Sequence, residues 1–205
     1  MTTLYIDDAL LAVDKPAGLL AVPGRGPDKR DCIVLRVQAD VPDALVVHRL
    51  DQATSGVMLL ARGAAVQRAL SIAFAQRRVR KRYEALVHGL VVEDAGEIDL
   101  PLAADWPRRP LQRVDVERGR PSLTRWRVIG RDPGARTSRL VLEPVTGRSH
   151  QLRVHLAAIG HAVVGDMLYA TQADDASRLM LHACELQLPH PRDGRMLSIA
   201  SPLPF

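Results

Sequence analysis

A chain of 205 residues with 47% apolar content can build a sizeable core, and its 3% aromatic content leaves that core mainly to Leu, Val, Ala and Ile. No apolar run approaches the ~18 residues of a membrane-crossing helix, the first residues lack the regions of a signal peptide, and Cys32 and Cys184 stand far apart with no Cys/His cluster of metal-ligand spacing. A soluble cytoplasmic protein without disulfide, metal or membrane partner is expected, and its formal net charge of +5 points to a polyanion.

Apolar segments at Leu4 to Ile6 and Leu10 to Val13 read as short strands, ended by the turn Asp14-Lys15-Pro16-Ala17-Gly18. Leu19 to Val22 resumes extended structure before a loop at Pro23-Gly24-Arg25-Gly26-Pro27, and Asp31 is placed to cap a short helix through Val37. Val46-Val47 leads into His48-Arg49-Leu50-Asp51-Gln52-Ala53-Thr54-Ser55-Gly56, and the apolar run Val57 to Ala61 reads as a buried strand. Asp51 then lies in a loop at the strand's N-terminal edge, where a rigid sheet can hold a reactive side chain at the rim of a cleft. An Asp before Thr-Ser-Gly also commonly does no more than open a turn.

Val66, Ala69, Leu70, Ala73 and Phe74 mark one face of an amphipathic helix. A basic run, Arg77, Arg78, Arg80, Lys81 and Arg82, precedes a strand from Tyr83 to Val87. Asp105-Trp106-Pro107-Arg108-Arg109-Pro110 reads as an irregular, exposed excursion, and Arg108 and Arg109 begin a second basic run with Arg113, Arg118 and Arg120. Either run can be a solvated face or a phosphate-binding one. Leu123 to Ile129, which includes Trp126, and Arg139 to Val145 read as strands joined by Asp132-Pro133-Gly134. Ser149 stands at the N-cap of a helix with Leu152, Leu156 and Ile159 on one face and Gly160 at its end. Without a regular βαβ alternation, this order indicates an α+β class dominated by antiparallel sheet.

The segment from His48 to Gly56 resembles the signature of the RluA family of pseudouridine synthases, with every fixed position present. A second block, Gly147-Arg148-Ser149-His150-Gln151-Leu152-Arg153-Val154-His155-Leu156, continues through Gly160-His161 to Gly165-Asp166 and Tyr169 and resembles the family's C-terminal motif. Asp14 to Gly18, Lys81-Arg82-Tyr83 and Leu181-His182-Ala183 extend the likeness over nearly the whole chain. The resemblance implies the pseudouridine synthase fold: a bent, mixed but mainly antiparallel sheet in two halves, with flanking helices and a central RNA-binding cleft. It further implies a single catalytic domain over residues 1–205, without the N-terminal S4-like RNA-binding domain of larger relatives.

Converting uridine to pseudouridine breaks the N1–C1′ bond, turns the detached uracil and rejoins it through C5, so a carboxylate beside C1′ meets charge developing on the sugar. Asp51 matches the family's essential aspartate, which implies covalent attack on the ribose or proton abstraction to a glycal. A carboxylate in a dry pocket needs a cation to stay ionised, and Arg153 matches the family arginine in that role. Tyr83 matches the active-site tyrosine, whose ring can stack on uracil and whose hydroxyl can assist loss of the C5 proton. A uridine inside folded RNA must leave its stack, which makes Arg49 a candidate for filling the vacated place or gripping adjacent phosphates. Arg148, before a helix N-terminus, is assigned to RNA binding, together with Arg80, Lys81, Arg108 and Arg109 from the basic runs and Lys15 near the cleft. His48, His150 and His155 read as structural histidines.

Leu100-Pro101-Leu102, Asp105-Trp106-Pro107 and Ile159-Gly160-His161 bring the likeness nearest to family members that act on both a tRNA anticodon stem-loop and a hairpin of 23S large-subunit rRNA. A single-target tRNA enzyme and a non-catalytic RNA-binding or ribosome-assembly protein of the same fold remain open alternatives. A protein-kinase reading of His48 to Asp51 fails because the chain has no Asn and no Gly-rich phosphate loop. The isomerisation implies neither metal nor organic cofactor, and a monomer is expected.

Overall fold

The computed structural model describes residues 2–26, 29–171 and 175–205, so Pro27, the last residue of the predicted Pro/Gly loop, lies outside the described residues. The chain divides into two compact units, one of Met1–Lys81 with His182–Pro204 and the other of Arg82–Leu181 with Phe205. Among the described residues no helix is long and apolar enough to cross a membrane.

In the first unit the strands are β1 (Thr2–Ile6), β2 (Leu10–Lys15), β3 (Ala44–Val46), β4 (Ser55–Arg62), most of β11 (Leu181–Pro189) and β12 (Met196–Ala200). The sheet is built around β4. One edge pairs antiparallel with β2, from Gly56 opposite Lys15 to Ala61 opposite Leu10. The other edge is shared: its start pairs parallel with β11 at Ser55 and Gly56, and its end pairs antiparallel with β3. Because both edges and both faces are covered, β4 is buried from Ser55 to Ala61, which explains an apolar run without alternation. Val57, Leu59 and Ala61 point to one face and join Leu10, Ala12, Leu186, Leu188, Leu197 and Ile199 in the core.

Helix α2 (Ala64–Ala75) covers that face, with Leu70 and Ala73 buried and Val66 and Phe74 packed against the cluster, as its spacing predicts. Helix α1 (Ile33–Asp40) forms near the predicted place but without the predicted cap. Cys32 occupies the N-cap position and makes no side-chain cap bond, while the Asp31 carboxylate accepts from Nε and Nη2 of Arg36, each at 2.7 Å. Leu19 to Val22 contributes only an isolated bridge from Leu20 to Cys32, rather than a strand.

In the second unit β5 (Arg80–His88, from Arg82 onward), β10 (Thr137–Pro144), β9 (Leu123–Asp132) and β6 (Ala95–Asp99) form an antiparallel sheet in that order. The predicted excursion at 105–110 is exposed from Trp106 to Pro110, as expected, and forms the tip of an ordered hairpin. Strands β7 (Leu102–Ala104) and β8 (Gln112–Val114) pair antiparallel around a 3-10 turn at Trp106–Arg108. Pro and Arg density suggested irregularity, but the short flanking strands need only three residues each.

Helix α3 (Gln151–Ala158) starts one residue later than Ser149 implies: His150 is the N-cap, in left-handed conformation at φ 53°, with no side-chain cap bond. The expected one-sided face is absent, because Gln151 through Leu156 are all buried, polar and apolar alike. Trp126 lies half-buried on β9 and packs over Gly96.

Two local contacts fix the entry to β4. Gly56 has φ +114°, and a Cβ there would lie 2.2 Å from the Ala183 carbonyl oxygen, so glycine is required by both torsion and space. Gly56→Ala is expected to cost about 3 kcal/mol or more, read as a fall in the urea midpoint; an unchanged midpoint would refute the close approach. At the other end of the loop His48 stacks on Phe74 at 4.9 Å, and its Nε2 accepts from the Leu59 amide at 2.9 Å. Burial, aided by the Lys81 charge, pushes its pKa from 6.5 down to about 3. Between those values the unfolded chain holds a proton that the folded one refuses, so stability falls as pH falls through this window. The residue should contribute a slope on the order of 1 kcal/mol per pH unit from about pH 6.5 to about pH 4. Urea unfolding of His48→Gln should show a shallower pH slope than wild type, and equal slopes would contradict the assignment.

Candidate active site

Asp51 is half-buried in the connection between β3 and β4, flanked by buried Leu50 and Thr54 and by exposed Arg49 and Gln52. The connection is short and heavily bonded. The Thr54 amide donates to the Asp51 carbonyl at 3.1 Å, closing a turn directly over the carboxylate-bearing residue. Gln52 is gripped by the Asp14 to Gly18 turn: its carbonyl accepts from the Gly18 amide at 2.8 Å, and its side-chain amide donates to the Gly18 carbonyl at 2.9 Å.

Lys15 completes this grip and corrects the sequence reading. It was expected at a phosphate, yet its side chain has 0% exposure and its ammonium donates to the carbonyls of Pro16, Leu19 and Gln52 at 2.9, 2.6 and 3.0 Å. An ammonium has three donors, and three carbonyls take them. Lys15 is therefore an internal clamp on the Asp51 loop rather than an RNA contact. A burial so complete is tolerable only because the charge is fully hydrogen-bonded.

On the strand side Ser55 Oγ lies 2.7 Å from His182 Nδ1, and His182 Nε2 lies 3.1 Å from Ser201 Oγ, all three side chains being buried. Leu181-His182-Ala183 thus meets the Thr54-Ser55-Gly56 end of the loop with a side-chain bond as well as the parallel pairing. Gln52 and His182 were not singled out as site residues from sequence, although His182 lies in a quoted motif.

In the second unit Tyr83 sits half-buried on β5, opposite Leu142 of β10. Arg153 projects from α3, 4% exposed, and forms a bidentate pair with Asp166, Nε to Oδ2 at 2.8 Å and Nη2 to Oδ1 at 2.6 Å. Asp166 Oδ1 also accepts from the amides of Leu168 and Tyr169, so the carboxylate is itself anchored. The Tyr169 ring lies 5.2 Å from the Arg153 guanidinium carbon. Its hydroxyl accepts from the Gln112 amide at 2.9 Å and lies 2.6 Å from His150 Nδ1, linking the β7–β8 hairpin to the start of α3. Asp166 and Tyr169 were legible only as motif letters; nothing in the sequence said which side chains they would hold.

The polar residues of α3 are satisfied throughout. Gln151 accepts from the Arg148 amide and the Thr146 hydroxyl and donates to the Leu123 carbonyl and Thr124 Oγ1. His155 spans Thr124 Oγ1 and the Leu100 carbonyl, each at 3.0 Å, and its pKa is lowered, chiefly by burial. His48, His150 and His155 are thus hydrogen-bonded within the structure.

The remaining predicted RNA contacts differ in exposure. Arg49, Arg80, Arg108 and Arg109 are exposed. Arg108 is held to Asp105 at 2.6 Å, and Arg109 lies over Trp106. Arg148 donates Nε and Nη2 to the Pro121 carbonyl. Lys81 is partly withdrawn from water, and burial, with Arg77 nearby, pushes its pKa from 10.5 down to about 8.

A family model described as RNA pseudouridylate synthase matches residues 9–158, a span that includes Asp51, Tyr83 and Arg153. A dual-specificity RNA pseudouridine synthase RluA from Yersinia pestis is 49% identical over 196 residues, covering 95% of each chain. The protein of the same name from Escherichia coli (strain K12) is 44% identical, covering 100% of this chain and 94% of its own. Among solved structures, human RNA Pseudouridylate Synthase Domain Containing 1 superposes with a TM-score of 0.83 at 31% identity, covering all of this chain and 84% of that one. Human RNA Pseudouridylate Synthase Domain Containing 4, at 24% identity and a TM-score of 0.80, shares the fold. With a match over most of its length and relatives nearly half identical from end to end, the chain belongs to the RNA pseudouridylate synthase family and is an enzyme that isomerises uridine in RNA.

Proposed function

We propose that the chain converts uridines in two structured RNAs, a tRNA anticodon stem-loop and a hairpin of 23S large-subunit rRNA, with Asp51 as the catalytic carboxylate. The observation that carries the reading is the immobilised Asp51 loop. The residues on either side of half-buried Asp51 are tied down, Gln52 by the buried Lys15 ammonium and two bonds with Gly18, and Ser55 by its contact with His182, so the backbone that carries the carboxylate is fixed at the expense of loop freedom. A turn-opening Asp needs no such support. The dual specificity rests on the names of the relatives and on the extent of their similarity.

Tyr83 then packs its ring against the uracil and lends its hydroxyl to removal of the C5 proton. Arg153 supplies the cation that the reaction calls for, with Asp166 fixing its orientation. Arg49 enters the place vacated by the extruded base or grips the flanking phosphates. Arg80, Lys81, Arg108, Arg109 and Arg148 add phosphate contacts. The enzyme works as a monomer in the cytoplasm, where these RNAs are found.

Pseudouridine formation on a purified anticodon stem-loop and a 23S hairpin tests the reading, beside Asp51→Asn. Wild type should modify both, and Asp51→Asn should lose about 10³-fold or more in rate while binding RNA near wild-type affinity. Comparable turnover by the variant would sink the assignment, and modification of one RNA would confine the enzyme to a single target. Asp166→Ala should cost about 3–5 kcal/mol by leaving a buried guanidinium without its carboxylate. The molecules still folded should turn over more slowly; full activity per folded molecule would remove Arg153 orientation from the account.

A further inference from the structure

Trp106 is the most exposed aromatic side chain of the second unit, at 67% exposure, and the tip that carries it does not depend on it. The Asp105 amide donates to the Leu111 carbonyl, the Arg108 amide to the Asp105 carbonyl and the Leu111 amide to the Arg108 carbonyl. The buried Asp105 carboxylate takes the Arg108 guanidinium. At the hairpin base, the Gln112 amide is held by the Tyr169 hydroxyl. These bonds shape the tip without the indole, whose large apolar surface is left in water at a hydrophobic cost. An exposed aromatic on a mount that holds its shape without it is available to a partner.

One face of that indole is already occupied. The Arg109 guanidinium carbon lies 3.3 Å from the ring centroid, a stacked cation–π pair. The pair fixes the plane of the ring and adds positive charge beside it. Arg113, Arg118 and Arg120 are exposed on the same hairpin and the segment that follows it, where Arg113 is paired with Asp115. A flat ring backed by a cation, at the tip of a hairpin whose further arginines lie towards its base, matches an unpaired nucleobase with its phosphates: the base stacks on the ring, and the backbone runs along the basic hairpin. A fully paired helix offers no free base face to such a ring.

We propose that Trp106, backed by Arg109, is a stacking platform for an unpaired nucleobase of the RNA substrate, separate from the uridine undergoing isomerisation. The proposal rests on the reading of a stem-loop substrate. It extends that reading by adding a residue that selects looped over fully paired RNA.

The chain has two tryptophans, so Trp126→Phe leaves Trp106 as the sole indole reporter. In an Asp51→Asn background, which keeps uridine unconverted, its emission is followed while adding an anticodon stem-loop or a fully paired RNA duplex of equal length. Stacking predicts quenching by the stem-loop and little change with the duplex. Trp106→Ala should raise the stem-loop Kd about tenfold and leave the duplex Kd in place, and Trp106→Phe should recover most of the loss. Unchanged emission with an unchanged stem-loop Kd would overturn the platform. Equal weakening toward both RNAs would overturn it too, since the contact would then read charge or shape. A stem-loop that quenches Trp106 but is never converted by the enzyme with Asp51 intact would keep the platform and refute the proposed substrate.

Discussion

The buried ammonium of Lys15 is the constraint on which the Asp51 loop depends. Removing a charge from water is costly unless its hydrogen-bonding capacity is met, and here carbonyls from Pro16, Leu19 and Gln52 meet it. The same group therefore draws together the turn after β2 and the loop before β4. Once Gln52 is placed, its bonds to Gly18 and the Asp51–Thr54 turn leave the carboxylate residue little backbone freedom. Gly56 and Ser55 secure the exit from the loop against β11. The residue that bears the carboxylate thus stands at the edge of the best-buried strand of its unit.

The second unit solves a related problem with a different ion. Arg153 lies on a helix buried all round, where a guanidinium can exist only with matched partners. Asp166 supplies a bidentate match, and the amides of Leu168 and Tyr169 hold Asp166 in turn. Gln151 and His155 repeat the pattern toward Thr124. Buried polar networks of this kind are stabilising only when complete, so each partner constrains the next. That interdependence explains why one long motif spans the segment from Gly147 to Tyr169.

Much of this was legible before the structure. The run at Val57 to Ala61, the face of α2 and the β9–β10 pair follow from hydrophobic patterning, which reports burial directly. The carboxylate, tyrosine and arginine candidates came from motif resemblance, which chemistry could rationalise but spacing alone could not have produced. What stayed hidden depends on partners distant in sequence. Lys15 looks like any turn lysine until Gln52 is seen beside it, and Asp31 like a cap until Arg36 claims it. The exposed tip at Trp106 was legible, but the two three-residue strands that flank it were too short to show a period-2 pattern. Helix α3 has little amphipathic signal, since its polar residues are buried with its apolar ones.

Amide hydrogen exchange across residues 14–18 and 48–56 tests the central claim most directly, because it reads the loop clamp without requiring turnover. A loop tied down by Lys15 and Gln52 predicts Gly18 and Thr54 amides protected to a degree approaching the β4 amides. Exchange at the rate of a solvated loop, with β4 itself protected, would contradict a preorganised carboxylate.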